Sequence, residues 1–334
     1  MAHELLDNKM FYVGQTPWHG LGTQLDVPPS TEEALQLSNL NWKVHKSETY
    51  IKLMNNKTLF KSEIMHDTGY CCTYRFNKDE DGNKEVVILG HVSKKYEVLQ
   101  NVDAFKPFDE VLLDSGYTYE TAGAVKNGQQ VWILAKAPEG RLIGDDQVDD
   151  YILLFNSHNG STGVTMKPTM IRVVCNNTLE YALNIETDKG ISLRHTTGVK
   201  DRLDSLTEAL RVCEGSIIKA SHIMNRMAEC EIAREVLDKY FEEVFPTLKK
   251  RNDEAFHPVT GRKIPNFAKP HYDKLMHNYY QGRGNKGRTM WDAYNSVTEY
   301  IDHDKNYTDP MSSIGFGWGK DVKQRAFKVA RNYL

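Results

Sequence analysis

The chain has 334 residues, which is enough for one large domain or for two domains that share a core. Hydrophobic residues make up 40% of it and charged residues 26%, and these are the proportions of a soluble globular protein. The formal net charge of −3 excludes a protein that is polycationic throughout. No apolar run approaches about 18 residues, so we expect no membrane-spanning helix and no membrane partner.

Two features predict a cytoplasmic protein. Residues 1–7 lack the cationic and apolar regions of a secretory signal. The five cysteines include no CxxC pair, which is typical of reduced thiols and not of a disulfide framework.

Charge is distributed unevenly along the chain. Residues 247–334 contain 16 Lys plus Arg against 9 Asp plus Glu, whereas residues 1–246 contain 26 against 36. The C-terminal quarter is therefore a basic module on an acidic body. This asymmetry indicates either a polyanionic partner or a tail that docks electrostatically on its own body.

The N-terminal segment, residues 1–40, is predicted to be an irregular arm followed by a short helix. Residues 14–22 include three glycines and a proline, which favour a defined loop. Ser30 and Glu33 have the spacing of a capping box, which predicts a helix over residues 34–38.

Residues 41–198 are predicted to form an α+β domain with a mostly antiparallel sheet. Hairpin turns are expected at residues 79–82 and, with an Asn-Gly signal, at 126–128. One helix is expected over residues 101–115. Further strands are expected at residues 151–155, 163–167, 171–175 and 191–195. The chain has neither GxGxxG nor GxxxxGK[ST], so both phosphate-loop motifs are absent.

A helical period follows, and it predicts one long helix across residues 199–246, kinked near a phase slip and ended by Pro246. Its apolar seam consists of Leu203, Leu206, Leu210, Cys213, Ile217, Ala220, Met224 and Met227. The seam has two interpretations: it packs on the sheet or on a C-terminal helix, or it forms an oligomer interface. Because the seam is long, we predict a homo-oligomer.

Polar residues are concentrated on the later strands. The cluster comprises Ser157, His158, Asn159, Asn176 and Asn177, and the cations beside it are Lys167, Arg172, Arg194 and His195. If hairpins bring these side chains together, their donors suit phosphate or carboxylate oxygens. The alternative is local turn chemistry, with Asn177 or Thr178 capping a short helix through Leu183.

Catalysis is not predicted. Cys175 with His158 or His195 would imitate a thiol–imidazole pair, but the spacing gives no support, and we expect Cys175 to be a buried, inert thiol. No catalytic residue, metal site or cofactor is assigned.

Residues 247–334 form the predicted basic, aromatic-rich helical module. Gly282, Gly284 and Gly287 favour a nest of backbone amides for phosphates. The neighbouring side chains expected to bind nucleic acid are Tyr280, Arg283, Lys286 and Arg288. The alternative is a loop between helices whose aromatic residues belong to the core. Two further helices are expected, an amphipathic one from residue 291 and a basic one over residues 320–334.

Six segments in order resemble the phage/plasmid-like family that carries the domain of unknown function 932. They are residues 1–5 (MAHEL), 17–22 (PWHGLG), 157–161 (SHNGS), 172–179 (RVVCNNTL), 194–196 (RHT) and 289–303 (TMWDAYNSVTEYIDH). The resemblance spans essentially the whole chain. It implies an origin in phages, prophages or plasmids, hence in the bacterial cytoplasm, and it implies no particular reaction.

Together these observations predict a nucleic-acid-binding protein, with single-stranded DNA favoured, that anneals or protects strands in replication or recombination. Two alternatives stay open. One is a non-catalytic protein that acts on a host factor. The other is a small phosphate-ligand binder or enzyme that uses His158, Arg172, Arg194 and His195.

Overall fold

The computed structural model describes residues 6, 9–14, 22–55, 62–78, 84–108, 112, 115–172, 177–179, 191–196, 206–250, 252–256, 263–264, 266, 268–305 and 317–334. Its strands are β1 Phe11–Val13, β2 Thr23–Leu25, β3 His45–Asn55, β4 Ser62–Lys78, β5 Lys84–Ser93, β6 Thr118–Val125, β7 Gln130–Lys136, β8 Arg141–Ile143, β9 Asp146–Ser157, β10 Val164–Arg172, β11 Asn177–Leu179, β12 Ile191–Leu193, β13 Ala255–Phe256 and β14 Lys263–Ile264. Its helices are α1 Thr31–Leu37, α2 Asn101–Phe108, α3 Leu206–Glu229, α4 Arg234–Val244, α5 Ala268–Gln281, α6 Met290–Glu299 and α7 Trp318–Arg331.

The described strands form three sheets, of which one is the pair β13–β14 and the other two make the framework of the fold. The main sheet has the order β11-β10-β9-β7-β6-β1-β2, and β12 and β8 pair with β10 and β9. The small sheet has the order β3-β4-β5. All of these pairs are antiparallel except β1 with β2. The α+β class with antiparallel hairpins is therefore confirmed.

Local sequence signals specify one helix start and one hairpin turn. Ser30 and Glu33 form the predicted capping box at the start of α1. Residues 126–128 form the turn between β6 and β7, with Asn127 at φ 57° and Gly128 at φ 94°. Asn and Gly adopt this left-handed region most readily, so the Asn-Gly pair is what the hairpin requires. The strands on either side of residues 79–82 pair as predicted, but that turn itself lies outside the described residues.

The strand predictions need two corrections. The N-terminal arm is not wholly irregular, because β1 and β2 add two strands to one edge of the main sheet. The strands predicted at residues 163–167 and 171–175 are joined in one strand, β10, that passes through Pro168 and is described to Arg172; residues 173–175 lie outside the described residues. On its outer side β12 pairs with residues 164–166 and β11 with 170–172, so Pro168 lies at the gap between them. A residue without an N–H is tolerated at such a gap.

The prediction of one long helix across residues 199–246 is wrong. The chain forms two helices, α3 and α4, with a break at residues 230–233. At the break the N–H of Ile232 donates to the carbonyl of Arg288 (3.0 Å), and the N–H of Met290 donates to the carbonyl of Cys230 (2.9 Å). The phase slip in the apolar period therefore coincides with residues 230–232, whose backbone pairs with residues at the start of α6. As expected, α4 ends just before Pro246.

The apolar seam of α3 is part of the intramolecular core. Its described side chains, from Leu210 to Met227, are at most 4% exposed, and α3 packs against β10 and α6. The seam is therefore covered within the chain, and the argument that it forms an oligomer interface fails. Of the predicted helix over residues 101–115, the structure gives α2 at Asn101–Phe108 and a helical conformation at Leu112, and residues 109–111 and 113–114 lie outside the described residues.

Among the described helices, none is long and apolar enough to cross a lipid bilayer.

Candidate nucleic-acid interface

Part of the predicted polar cluster forms the joint between the two sheets, which we define by Thr73, Tyr96, Ser157, His158 and His195. The Thr73 hydroxyl donates to the carbonyl of His158 (2.6 Å), and the Tyr96 hydroxyl donates to the carbonyl of Ser157 (2.9 Å). The Tyr96 ring stacks on His195 with centroids 4.7 Å apart. Ser157, His158 and His195 are buried, so they hold the sheets together and do not form an exposed ligand surface.

The backbones of the two sheets also approach each other closely at the joint. Asn159 lies against Gly90 of β5, where an added Cβ would be 2.4 Å from the Asn159 Cα. Only glycine permits this contact, so Gly90 is required for the small sheet to dock.

His158 is neutral in the joint. Its Nε2 lies 2.8 Å from the side-chain oxygen of Asn101, whose amide nitrogen donates to the carbonyl of Leu40. The Asn101 oxygen is thus the acceptor, and the proton is on Nε2. Complete burial lowers the pKa of His158 to about 3, with a further contribution from His195, whose own pKa is also lowered by burial.

We therefore expect the protein to lose stability as the pH falls below about 6.5. Above this value the imidazole of residue 158 is neutral in both states and contributes nothing. Between about 6.5 and 3 the unfolded imidazole binds a proton that the folded one does not, which costs about 2 kcal/mol at pH 5. Urea titrations across this range test the loss. His158→Gln should flatten it, and a profile equally steep in that variant would contradict the assignment; His277→Gln, at an exposed histidine, is the control.

The other predicted strand residues lie elsewhere. Arg172 pairs with Asn177 at one end of β10, whereas Arg194 and His195 follow β12, which pairs with the other end. The two ends of β10 are about 27 Å apart at the rise of an extended strand. Lys167 lies half-buried in the middle, Arg194 is exposed, and Asn176 and Cys175 lie outside the described residues. The expectation of one shared surface, and with it the His158/Arg172/Arg194/His195 ligand site, is therefore corrected.

A helix was also predicted to begin at Asn177 or Thr178 and to run through Leu183. Both of its predicted first residues lie instead in strand β11. The remainder of that helix lies outside the described residues.

The glycine loop at residues 282–289, between α5 and α6, does form a nest of backbone amides, but a carboxylate of the chain fills it. The N–H groups of Lys286, Arg288 and Thr289 donate to Asp292 at 2.9, 3.0 and 2.9 Å. Asp292 is 4% exposed and also accepts from the Thr289 hydroxyl at 3.0 Å. Since these amides already bind an anion, the prediction that they hold backbone phosphates is corrected.

Two side chains of the predicted loop site make contacts within the chain. The Lys286 ammonium lies 2.7 Å from the Asp145 carboxylate. The Tyr280 ring covers Gly287, where an added Cβ would be 2.5 Å from the ring. Arg283 and Arg288 are exposed, and Tyr280 is 46% exposed. Tyr280, these two arginines and Lys286, whose side chain is 65% exposed, therefore all face solvent.

A surface that the sequence analysis did not single out lies on the small sheet. We call it the aromatic face: Tyr70, Tyr74 and Phe76 of β4, Val86 and Ile88 of β5, and His45 of β3. Cross-strand pairs place these residues together, since Tyr74 pairs with His45 and Ile88, and Phe76 pairs with Val86. The alternate residues Cys71, Thr73 and Arg75 are buried against the main sheet. Strand alternation therefore directs the aromatic face to solvent.

His45, Tyr74 and Phe76 of the aromatic face contact one another, and Tyr70 and Phe76 are its exposed rings. Tyr70 is 57% and Phe76 40% exposed. The centroids of Tyr74 and Phe76 are 5.6 Å apart, and His45 stacks on Tyr74 at 5.3 Å. The Lys84 ammonium lies 5.5 Å from the Phe76 centroid. The face thus combines stacked rings with a cation at its border, as sites for unpaired bases do.

Comparison with known proteins gives one family. Residues 88–332 match the model described as Domain of unknown function (DUF932). The chain belongs to this family. No curated protein and no solved structure matches the chain. The family match begins at Ile88, so it includes the glycine loop and the joint from Gly90 onward, whereas most of the aromatic face precedes it.

Proposed function

We propose that this DUF932 chain binds single-stranded nucleic acid, single-stranded DNA in particular, by stacking bases on the aromatic face. In this proposal it is a phage- or plasmid-encoded protein of the bacterial cytoplasm that anneals or protects strands during replication or recombination. It acts without catalytic residues, a cofactor or a metal ion.

One observation carries the proposal: Tyr70, Tyr74 and Phe76 lie on the same face of β4, with Cys72 between the first two. Residues two apart on a strand face are about 6.6 Å apart, so Tyr70, Tyr74 and Phe76 form a row about 20 Å long. Bases of an extended strand can lie on such a row, and each base stacked on a ring contributes about 1–3 kcal/mol.

The same feature predicts the preference for single strands. A duplex keeps the faces of its bases inside the stack, where a flat protein surface cannot reach them. Lys84 is the cation that the described contacts place against these rings, so we expect stacking to contribute more than phosphate neutralisation and the salt dependence to be shallow.

A second candidate function is docking of a protein partner such as a host factor. The aliphatic residues Val86 and Ile88, 52% and 47% exposed, favour it, because exposed aliphatic groups on one face commonly mark protein interfaces. This second function predicts that oligonucleotides do not bind to the aromatic face at all.

Substitution of single rings tests the proposal. Tyr70→Ala or Phe76→Ala should weaken binding of labelled oligothymidine by about 1–3 kcal/mol, that is, by about 5- to 150-fold in Kd. Both side chains are exposed, so thermal unfolding should be nearly unchanged. Fluorescence anisotropy measures the affinity.

The matched control is Tyr280→Ala, which removes a tyrosine of similar exposure from the end of α5, beside the glycine loop. Binding that depends on Tyr280 and is indifferent to Tyr70 and Phe76 would transfer the site to the loop.

A further inference from the structure

Strand β5 is one edge of the small sheet, and its outer side is open. Its inner side pairs with β4 along its whole length. Among the described residues, no strand pairs with the outer side of β5, and no backbone hydrogen bond outside the β4 ladder engages residues 84–88. The unpaired N–H and C=O groups of an edge strand are a template for another strand. A further strand is therefore the partner that this edge selects.

A β-bulge limits the open edge to five regular residues. The register of β5 against β4 shifts between Ile88 and Gly90, which makes Leu89 the extra residue. Leu89 is 1% exposed, and Gly90 approaches the main sheet at the joint. A bulge commonly ends pairing in this way. Residues 84–88 (KEVVI) thus form the part of β5 that is free to pair.

The sequence of this edge does not oppose pairing. Open edges are commonly protected by charged residues or proline. The opposite edge of the small sheet follows this rule, because β3 contains Lys46, Glu48 and Lys52, all exposed. In contrast, residues 86–88 of β5 are all aliphatic, and the first and last of them are 52% and 47% exposed.

The strand that matches this edge is β5 of a second copy. A twofold axis normal to the sheet at Val86 makes the two β5 strands antiparallel neighbours. The opposed pairs are then Val86 with its own copy, Lys84 with Ile88, and Glu85 with Val87. Each pair shares a face of the sheet, aliphatic side chains meet at the centre, and no like charges are directly opposed. All five regular residues are used.

We propose that two copies of this chain form a twofold dimer by pairing their β5 edges, which joins the two small sheets into one continuous sheet. Five residues per strand make a small contact, so we expect a Kd in the micromolar range. An axis normal to the sheet keeps both aromatic faces on the same side. This dimer replaces the helix seam as the reason for self-association.

The dimer also orders the two rows of aromatic rings, and this consequence rests on the proposed function. Three strand spacings separate the two β4 strands, so the rows lie about 14 Å apart. The twofold axis makes them run in opposite directions. Two single strands that stack with the same polarity relative to β4 are then held antiparallel, which is the orientation that complementary strands need to anneal.

Residue 86 tests the dimer directly, because the axis places it against its own copy. In sedimentation velocity at about 10–100 μM, the wild-type chain should form a dimer of the 38.3 kDa monomer. Val86→Lys and Val86→Glu should each be monomeric, since like charges are then opposed. An equimolar mixture of the two should recover the dimer. Leu142→Lys, at a residue 62% exposed on β8, is the control and should dimerise like the wild type.

Each result decides for or against the dimer. Val86 is half exposed, so circular dichroism and thermal unfolding of both variants should be nearly unchanged. A wild-type chain that stays monomeric across this range overturns the proposal. Folded variants that dimerise alone, or that stay monomeric when mixed, overturn it as well.

A cysteine at the axis provides a second route if a charged variant fails to fold. Val86→Cys should form a disulfide between two copies in oxidised glutathione, because directly opposed side chains on antiparallel strands have Cβ atoms about 5 Å apart. Leu142→Cys and the wild-type chain are the controls and should not cross-link. A folded Val86→Cys chain that cross-links no faster than these controls would also overturn the pairing.

Annealing separates this inference from the proposed function. The dimer is measured without oligonucleotide, so a dimer that binds no DNA overturns the proposed function alone. Where DNA does bind, Val86→Lys should bind a single oligonucleotide at least as tightly as the wild type, since it adds a cation, yet anneal complementary strands more slowly. Equal annealing rates, measured with fluorescently labelled strands, would overturn the antiparallel arrangement.

Discussion

Replacing Lys323 with methionine is expected to lower the free energy of unfolding by about 3–5 kcal/mol. Lys323 of α7 and Asp302, in the π-helical segment Tyr300–Asp304 that follows α6, form an ion pair with Nζ and Oδ1 2.8 Å apart. Both side chains are buried, at 0% and 2% exposure. Methionine fills a similar volume, so the loss arises because the Asp302 carboxylate is left in the core without its cation.

Urea denaturation measures this loss, with the m-value as a check that the unfolded state is unchanged. Asp302→Leu alone should be similarly destabilising. The double variant should recover most of the stability, because a buried ion pair replaced by apolar groups is often neutral or stabilising. Single and double variants that are equally unstable would show that the cost comes from packing and not from the unpaired charge.

Asp292→Ala should cost about 3 kcal/mol, since it removes the acceptor of three backbone amides and one hydroxyl. Its carboxylate both caps α6 and fixes the glycine loop, so we expect the loss of stability to be accompanied by faster hydrogen exchange at residues 286–289.

Two further substitutions define what the Asp292 carboxylate does. Asp292→Asn retains one acceptor oxygen and should cost roughly half as much. Asp273→Ala, at an exposed position of α5, should cost less than about 0.5 kcal/mol. A stable Asp292→Ala variant with phosphate bound at the loop would instead restore the predicted phosphate nest.

The features that sequence predicts well in this chain are local. The capping box of Ser30 and Glu33 and the Asn-Gly hairpin at residues 126–128 depend on groups within a few residues of one another. Each is determined by side-chain chemistry and backbone φ preference, so neither requires knowledge of the remaining fold.

The features that sequence predicts poorly depend on distant partners. The glycines at residues 282–287 indicate a nest of amides, but nothing local says that Asp292 and not a phosphate fills it. Lys323 is in phase with the buried residues Ala326 and Phe327, which is the one signal that would have found the buried ion pair. The donor-rich residues around β10 looked like one surface because the strand boundaries and pairing were unknown, and β10 separates them.

The aromatic face illustrates the same limit. The alternation of residues 70–76 predicts a strand, and it separates Tyr70, Tyr74 and Phe76 from Cys71, Thr73 and Arg75. Which set is buried depends on how the small sheet docks on the main sheet, through contacts such as that of Thr73 with His158. The buried set is the less apolar of the two, because it includes an arginine. Arg75 is 3% exposed and lies beneath the Trp42 ring, and its Nε donates to the carbonyl of Asn127.

The most direct measurement is the affinity of the wild-type chain for one labelled sequence as a single strand and as a duplex, by fluorescence anisotropy at two salt concentrations. Stacking on the aromatic face predicts that the single strand binds at least about tenfold more tightly, with a shallow slope of log K against log salt of about −1. Equal or tighter binding of the duplex, or no binding of either at micromolar concentrations, would contradict the proposed function.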